Sequence, residues 1–161
     1  MPIYVNFLLN GQQFIKGDVT EENHLHWVEG STVRFNLTHQ SDDDQSGDQS
    51  KNHSTGNLVL TKAADSASQQ LMMASHDGTL LNVVVHLAST IDRKALVKMA
   101  YSLIDVVLQF SLQTDAQMPQ ETVTIDFAKV TADDGGHGPD ISSEVQLDNA
   151  QWDLTPNTTP N

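Results

Sequence analysis

The sharpest chemical pattern in the sequence is Asp42, Asp44 and Ser46, followed by Gly47. Oxygen donors at alternate positions ahead of a glycine open a calcium loop, since a hard cation takes such oxygens and the glycine lets the chain turn sharply. The pattern then breaks. The twelfth position is His53, where a bidentate glutamate is needed, and the flanking segments read as strands, not helices. A solvated acidic loop accounts for these residues better than a cation site. Seven histidines raise the question of zinc. His24 and His26 lie two apart and share one face if extended, but tetrahedral zinc needs three or four ligands. His39, His53, His76, His86 and His137 are scattered, and His86, closing an apolar run, reads as a core-edge histidine with a hydrogen-bond partner.

Other chemistries find less support. There is no G-x-S-x-G elbow for a nucleophilic serine, no phosphate loop and no dinucleotide fingerprint. The run Gly135-Gly136-His137-Gly138 has no helix after it. Carboxylate pairs such as Glu21/Glu22 and Asp133/Asp134 abound in so acidic a chain and carry little weight as acid–base pairs. The absence of cysteine excludes disulfides, thiolate metal sites and cysteine nucleophiles. The expectation is a protein that is not an enzyme and needs no cofactor.

Charge narrows the partners. Eight Lys and Arg stand against 21 Asp and Glu in 161 residues, a net charge of −13. Nucleic acid is disfavoured, because binding a phosphate backbone needs clustered cations, and the largest basic group is Arg93, Lys94 and Lys98. No apolar run approaches the roughly 18 residues of a membrane span. The opening residues lack the basic region and cleavage site of a secretory signal, so folding in a cytosol is expected.

Period-two alternation supplies the elements that would position any site. Ile3, Val5 and Phe7 alternate with polar or aromatic neighbours, as do Val33, Phe35 and Leu37. Leu58, Leu60 and Lys62 share one phase; Val106, Leu108, Phe110 and Leu112 another; Val123, Ile125 and Phe127 a third. Such alternation predicts antiparallel strands with one buried face. Val83 to Val85 forms a denser run, consistent with a strand buried on both faces. One helix is predicted over 65–76, capped by Asp65 or by Ser66 with Gln69, ended by Gly78, and packing Leu71, Met72 and Ala74 on the core. Residues 92–104 suit helix or strand equally. Gln40 to Gly56 has no apolar residue and predicts a polar acidic loop, mobile in isolation. The fold class is mainly β: an antiparallel barrel or sandwich with one short α-helix on its side, a single domain over 1–154 and a flexible tail over 155–161.

Four blocks stand out, in order. The first is Ile15-Lys16-Gly17-Asp18-Val19-Thr20 with His26-Trp27-Val28-Glu29-Gly30-Ser31. The second is Leu58-Val59-Leu60-Thr61-Lys62 followed by Asp65, Ala67, Ser68 and Leu71. The third is the strand Val83–Leu87 with Tyr101, Leu103, Asp105, Val106 and Val107. The fourth is Pro119, Glu121, Val123, Ile125, Phe127 and Lys129 at alternate positions. Together they span most of residues 1–130 and resemble the hemolysin-coregulated protein (Hcp) family of bacterial type VI secretion. The resemblance implies strand, not helix, over 95–104.

The same resemblance implies a structural tube subunit. Members form homo-hexameric rings that stack inside a contractile sheath, carry effectors in the lumen and leave the cell without a cleaved signal peptide. The implied partners are further copies of the chain together with sheath, spike and effector proteins, with neither nucleic acid nor membrane insertion. The family's extended loop falls at 39–56, which makes Asp42, Asp43, Asp44, Asp48, Lys51 and His53 the expected subunit or ring-stacking contacts. This stretch is more acidic than the family pattern and lacks its Gly/Arg-containing segment. The rival reading is a small calcium- or carbohydrate-binding β-sandwich module using the acidic loop and two tryptophans, Trp27 and Trp152.

Overall fold

Alternating apolar residues pair into strands along almost the whole described chain. The computed structural model describes residues 1–41, 52–114, 117–133 and 145–146; for 39–41, 52–55 and 145–146 the description is of the backbone. The strands are β1 (Ile3–Leu9), β2 (Gln12–Ile15), β3 (Val28–Gly30), β4 (Thr32–Ser41), β5 (Asn52–Ala63), β6 (Leu81–Ile91), β7 (Lys94–Gln113), β8 (Gln120–Asp126), β9 (Lys129–Asp133) and β10 (Val145–Gln146). A 3-10 turn covers Glu22–His24, and the helix α1 covers Ser68–Asp77.

The hydrogen-bonded order is β2-β1-β6-β7-β8-β5-β4, with β3 on β1, β9 on β7 and β10 on β9. Every pairing is antiparallel. The path divides into two sheets that share β7. Its first part pairs with β6 and β9, and Val107–Gln113 pairs with β8. At the changeover Asp105 adopts φ 56°, a left-handed conformation that aspartate tolerates, and its N–H donates to Asn82 Oδ1 at 3.1 Å. A second tie joins the sheets where Ser31 alone separates β3 from β4; its N–H donates to the Thr61 carbonyl at 2.7 Å. One core lies between the sheets, with Val5, Phe7, Leu58, Leu60, Val83, Leu103 and Ile125 fully buried. Barrel-like or sandwich-like, the architecture is the mainly β fold that alternation predicts.

Two tight hairpins follow from residues that accept positive φ. Asn10 (54°) and Gly11 (79°) join β1 to β2, and Asp92 (52°) and Arg93 (66°) join β6 to β7. At the C-terminus of α1, Gly78 at φ 65° receives the chain as a left-handed cap.

Several expectations change. Strand pairing runs into the segment expected to be loop from both ends, as far as Gln40↔His53 and Ser41↔Asn52. A ladder of backbone hydrogen bonds needs no apolar side chain, so composition alone placed the loop boundaries too wide. The helix starts at Ser68, later than expected, with Ala67 at the cap position and no side-chain cap. Ser66 is drawn away to Asp18, while Asp65 and Ser68 exchange bonds, Asp65 N–H to Ser68 Oγ at 2.9 Å and Ser68 N–H to the Asp65 carbonyl at 3.1 Å, and Ala67 N–H donates to Asp65 Oδ1 at 2.9 Å. Leu71 and Ala74 are buried as expected, but Met72 is 48% exposed. In β6, Val83 and Val85 are buried whereas Val84 is half-buried, so one face lies in the core and the other is only partly covered. The ambiguous segment is strand, the first half of β7. The tail 155–161 lies outside the described residues.

Candidate functional site

The first polar cluster anchors α1. Lys62 continues the inward phase of Leu58 and Leu60, so the alternation itself carries a lysine into the core, where it has no exposed surface. Its Nζ donates to Glu121 Oε1 at 2.6 Å and to Asp65 Oδ1 at 2.8 Å. Lys62 and Glu121 are directly opposite in the β5–β8 ladder, and Glu121 is 3% exposed. A buried ammonium is tolerable only when paired in this way. From the other side, the segment after β2 grips the start of α1. Ser66 Oγ donates to Asp18 Oδ1 at 2.5 Å, and Lys16 N–H donates to Gln70 Oε1 at 3.0 Å. Hydrogen bonds from the Ser66 side chain, then from its backbone, hold the Asp18 carboxyl below its ordinary range. Gly17 between them lies so close to the neighbouring chain that a Cβ would stand 2.6 Å from the Trp27 carbonyl oxygen.

The second cluster covers the outer face of β1 and β6. Tyr4 and His86 are register partners there. The segment 17–28 folds over them, held by Gly17 N–H to His26 O (2.8 Å) and His26 N–H to Val19 O (2.8 Å). His24, 1% exposed, stacks on Tyr4 at 4.4 Å and meets the Trp27 ring edge-on at 4.7 Å. Its Nδ1 lies 2.5 Å from Glu21 Oε1 and its Nε2 lies 2.9 Å from His86 Nδ1. Burial alone would raise the Glu21 carboxyl; hydrogen bonds from His24 and from the Ala95 and Asn23 backbones outweigh it and hold the group ionised below its usual range. His86 is pushed down to about 4, by burial first and then by the His24 charge. The carboxylate–imidazole pair has the arrangement that orients a catalytic base. Where a nucleophile would stand there is a second imidazole, and the ring is sealed from solvent, so the cluster holds the segment and offers no substrate a place.

His26 departs from the shared face expected of it. It lies in the turn before β3 at φ 66° with its side chain exposed, while His24 points inward. His86 is the core-edge histidine with a partner that its sequence position suggests. Asp42, Asp43, Asp44, Ser46, Asp48 and Lys51 lie outside the described residues; of His53 the backbone pairing with Gln40 is described. Trp152 is likewise outside them. Among the described residues no group of three or more His, Asp or Glu is placed to hold a metal ion. No helix among them is long and apolar enough to cross a membrane.

Among the described strands β4, ten residues long, pairs with β5 alone and stands at the end of the hydrogen-bonded order. The opposite end of this four-stranded sheet, the Val107–Gln113 part of β7, is partly covered by α1, whose Ser75 Oγ donates to the Leu108 carbonyl at 3.2 Å. The outward positions of the sheet are largely uncharged and polar: Asn36 and Thr38 on β4, Thr122 and Thr124 on β8, Gln109 and Ser111 on β7. Beside α1, Phe14 (38% exposed) and Met73 (51%) line a shallow hollow with Ser66, Gln70 and Asp77.

A family model described as "Type VI secretion system effector, Hcp" matches residues 7–133. The chain belongs to the Hcp family. Solved structures with the same fold include a mutant Hcp1 from E. coli EAEC 042 (20% identity, 84% of this chain and 92% of that one, TM-score 0.69). Others are Hcp1 from Salmonella typhimurium (21%, 85% and 91%, 0.65) and a type VI secretion system effector from Yersinia pestis (16%, 84% and 91%, 0.63). No curated protein sequence is similar to the chain. Hcp is a family of secreted, structural tube proteins of type VI secretion. Of the residues that carry the resemblance to Hcp in the sequence, Lys16, Gly17, Asp18 and Trp27, then Lys62, Asp65, Ser68 and Glu121, belong to the two clusters. In this Hcp chain they hold α1 and the segment 17–28 onto the sheets.

Proposed function

We propose that the chain is a subunit of the type VI inner tube, closing into a homo-hexameric ring whose copies stack within the sheath and carry effectors in the lumen. The observation that carries this reading is the place of β4 at the end of the strand order, paired with β5 alone among the described strands. A ten-residue strand paired on one side is a template for another chain unless something covers it. Covering it with a different face of the next protomer makes a heterologous contact, the kind that closes a ring by rotation. The outer face of the same sheet, largely polar and charged among these strands only at Arg34 and Asp126, suits a wall along which varied cargo lies without strong adhesion. On this reading Asp42, Asp43, Asp44, Asp48, Lys51 and His53 lie at the end of the β4–β5 arm and contact the neighbouring ring. The subunit is made in the bacterial cytoplasm and exported without a cleaved signal, its partners being its own copies with sheath, spike and effectors.

Six copies would gather about −78 charges, so assembly works against self-repulsion and salt favours it by screening. Mass by light scattering, at low and moderate salt, tests the reading. A discrete hexamer favoured by moderate salt supports it; a monomer at every salt concentration overturns it.

A further inference from the structure

We propose that the Glu21–His24–His86 chain is a proton-operated latch, holding the segment 17–28 on the outer face of β1 and β6 until the two imidazoles have taken up two protons. The argument starts from which atoms can carry hydrogen. Glu21 is ionised and can only accept, so His24 Nδ1 carries the proton in their 2.5 Å contact. His24 Nε2 is then the acceptor of a proton from His86 Nδ1 across 2.9 Å when both rings are neutral. One added proton is accommodated, because a ring that carries both its hydrogens can still donate across this contact to the other ring in the tautomer that accepts. A second proton has no such place. It sets two N–H groups, on two cations, against each other across the same contact. The pair therefore tolerates one proton and is broken by two.

In acid the segment's own carboxylates, Glu21 and Asp18, titrate as well, each from below its ordinary range, and the remaining neighbours leave His86 as the imidazole trigger. From β1 comes Tyr4, stacked on His24, with a hydroxyl pushed up by burial and by Glu29 and Glu21 and so neutral throughout. From β3 comes Glu29, the register partner of Tyr4. From β7 comes the Ala95 N–H on Glu21, while Lys94 and Lys98 alternate to the opposite side of that strand and are exposed. His26 is exposed on the turn. His86 is thus the group whose protonation breaks the chain, and its pKa, pushed down to about 4, places the event in acid. Release has a reach beyond the histidines, because the same segment includes Gly17 and Asp18, which pair with His26 and grip Ser66 at the start of α1.

Trp27 lies 4.8 Å from His86 and 4.7 Å from His24, so its emission reports the latch. A Trp152→Phe background leaves it the sole tryptophan. Titration from pH 7 to 3 is expected to show a Trp27 transition near pH 4, with far-ultraviolet circular dichroism of the strands unchanged across it. In the same background His86→Asn, which keeps a polar atom near Nδ1 and cannot titrate, is expected to abolish the transition. A Trp27 change coincident with loss of strand signal, or one unmoved by His86→Asn, overturns the latch. Imidazole carbon shifts of the unsubstituted chain decide the matter if that variant does not fold: His86 titrating near 4 supports it, and His86 titrating at the ordinary 6.5 overturns it.

Discussion

Lys62 shows what a single residue costs and gives in this core. Its ammonium has no exposed surface and is held by Glu121 and Asp65. Lys62→Ala leaves the Glu121 carboxylate buried without its partner, and a loss of about 3–5 kcal/mol in urea unfolding is expected. Replacing both strand partners together, Lys62→Met with Glu121→Leu, is expected to recover most of that loss, since an apolar pair removes the desolvation cost along with the attraction. Gly17→Ala drives a methyl group toward the Trp27 carbonyl, and about 1–3 kcal/mol of destabilisation is expected from the forced displacement. The pH dependence follows from His86. Its folded-state pKa is below its unfolded one, so between about 4 and 6.5 the unfolded chain binds more protons and stability falls as pH falls. His86→Asn is expected to flatten this slope in unfolding measured at pH 4.5, 5.5 and 6.5. Period two already carried Lys62 inward with Leu58 and Leu60. Its partners were not legible, because Glu121 meets it only through the β5–β8 register.

At the scale of elements, α1 is a helix held from outside itself. Leu71 and Ala74 face the core, while Met72 and Met73 are about half-exposed. Leu71→Ala is expected to cost ~2–5 kcal/mol and Met72→Ala less than ~0.5 kcal/mol, a contrast readable in the same unfolding assay. The helix was legible between two strands, down to Gly78 at its end. Its start was not: local pattern favoured a Ser66–Gln69 cap, and a distant residue, Asp18, competes for the Ser66 side chain. Strand alternation was legible for the same reason that register was not, because side-chain phase is local and pairing is tertiary. The first half of β7 illustrates the limit. Its residues fit both periods, and the sheet decides, with β6 and β9 on either side. The His24 cluster was beyond reach, as it joins positions 62 residues apart through a turn that inverts the expected facing of His24 and His26.

The described residues form a two-sheet body, and the sequence that joins β4 to β5 is acidic. If the arm's end is a contact between rings, backbone amides in 42–51 should exchange slowly in stacked tubes and quickly in isolated rings. Equal protection in both would remove the arm from stacking. The family was legible from four sequence blocks because those letters serve packing that any such body needs. The chain's own departure from the family pattern, the aspartate-rich stretch 42–48, lies outside the described residues.

The twenty-residue β7 also has a mechanical meaning. Load applied to one sheet along this strand reaches the other through covalent bonds, with β6, β9 and β8 bearing it in shear along its flanks. Asp105 bends the strand but does not interrupt it, and Ser31 provides a second splice on the far side. With two covalent splices between its sheets, a subunit built this way is expected to pass a push from one end to the other more as displacement than as deformation.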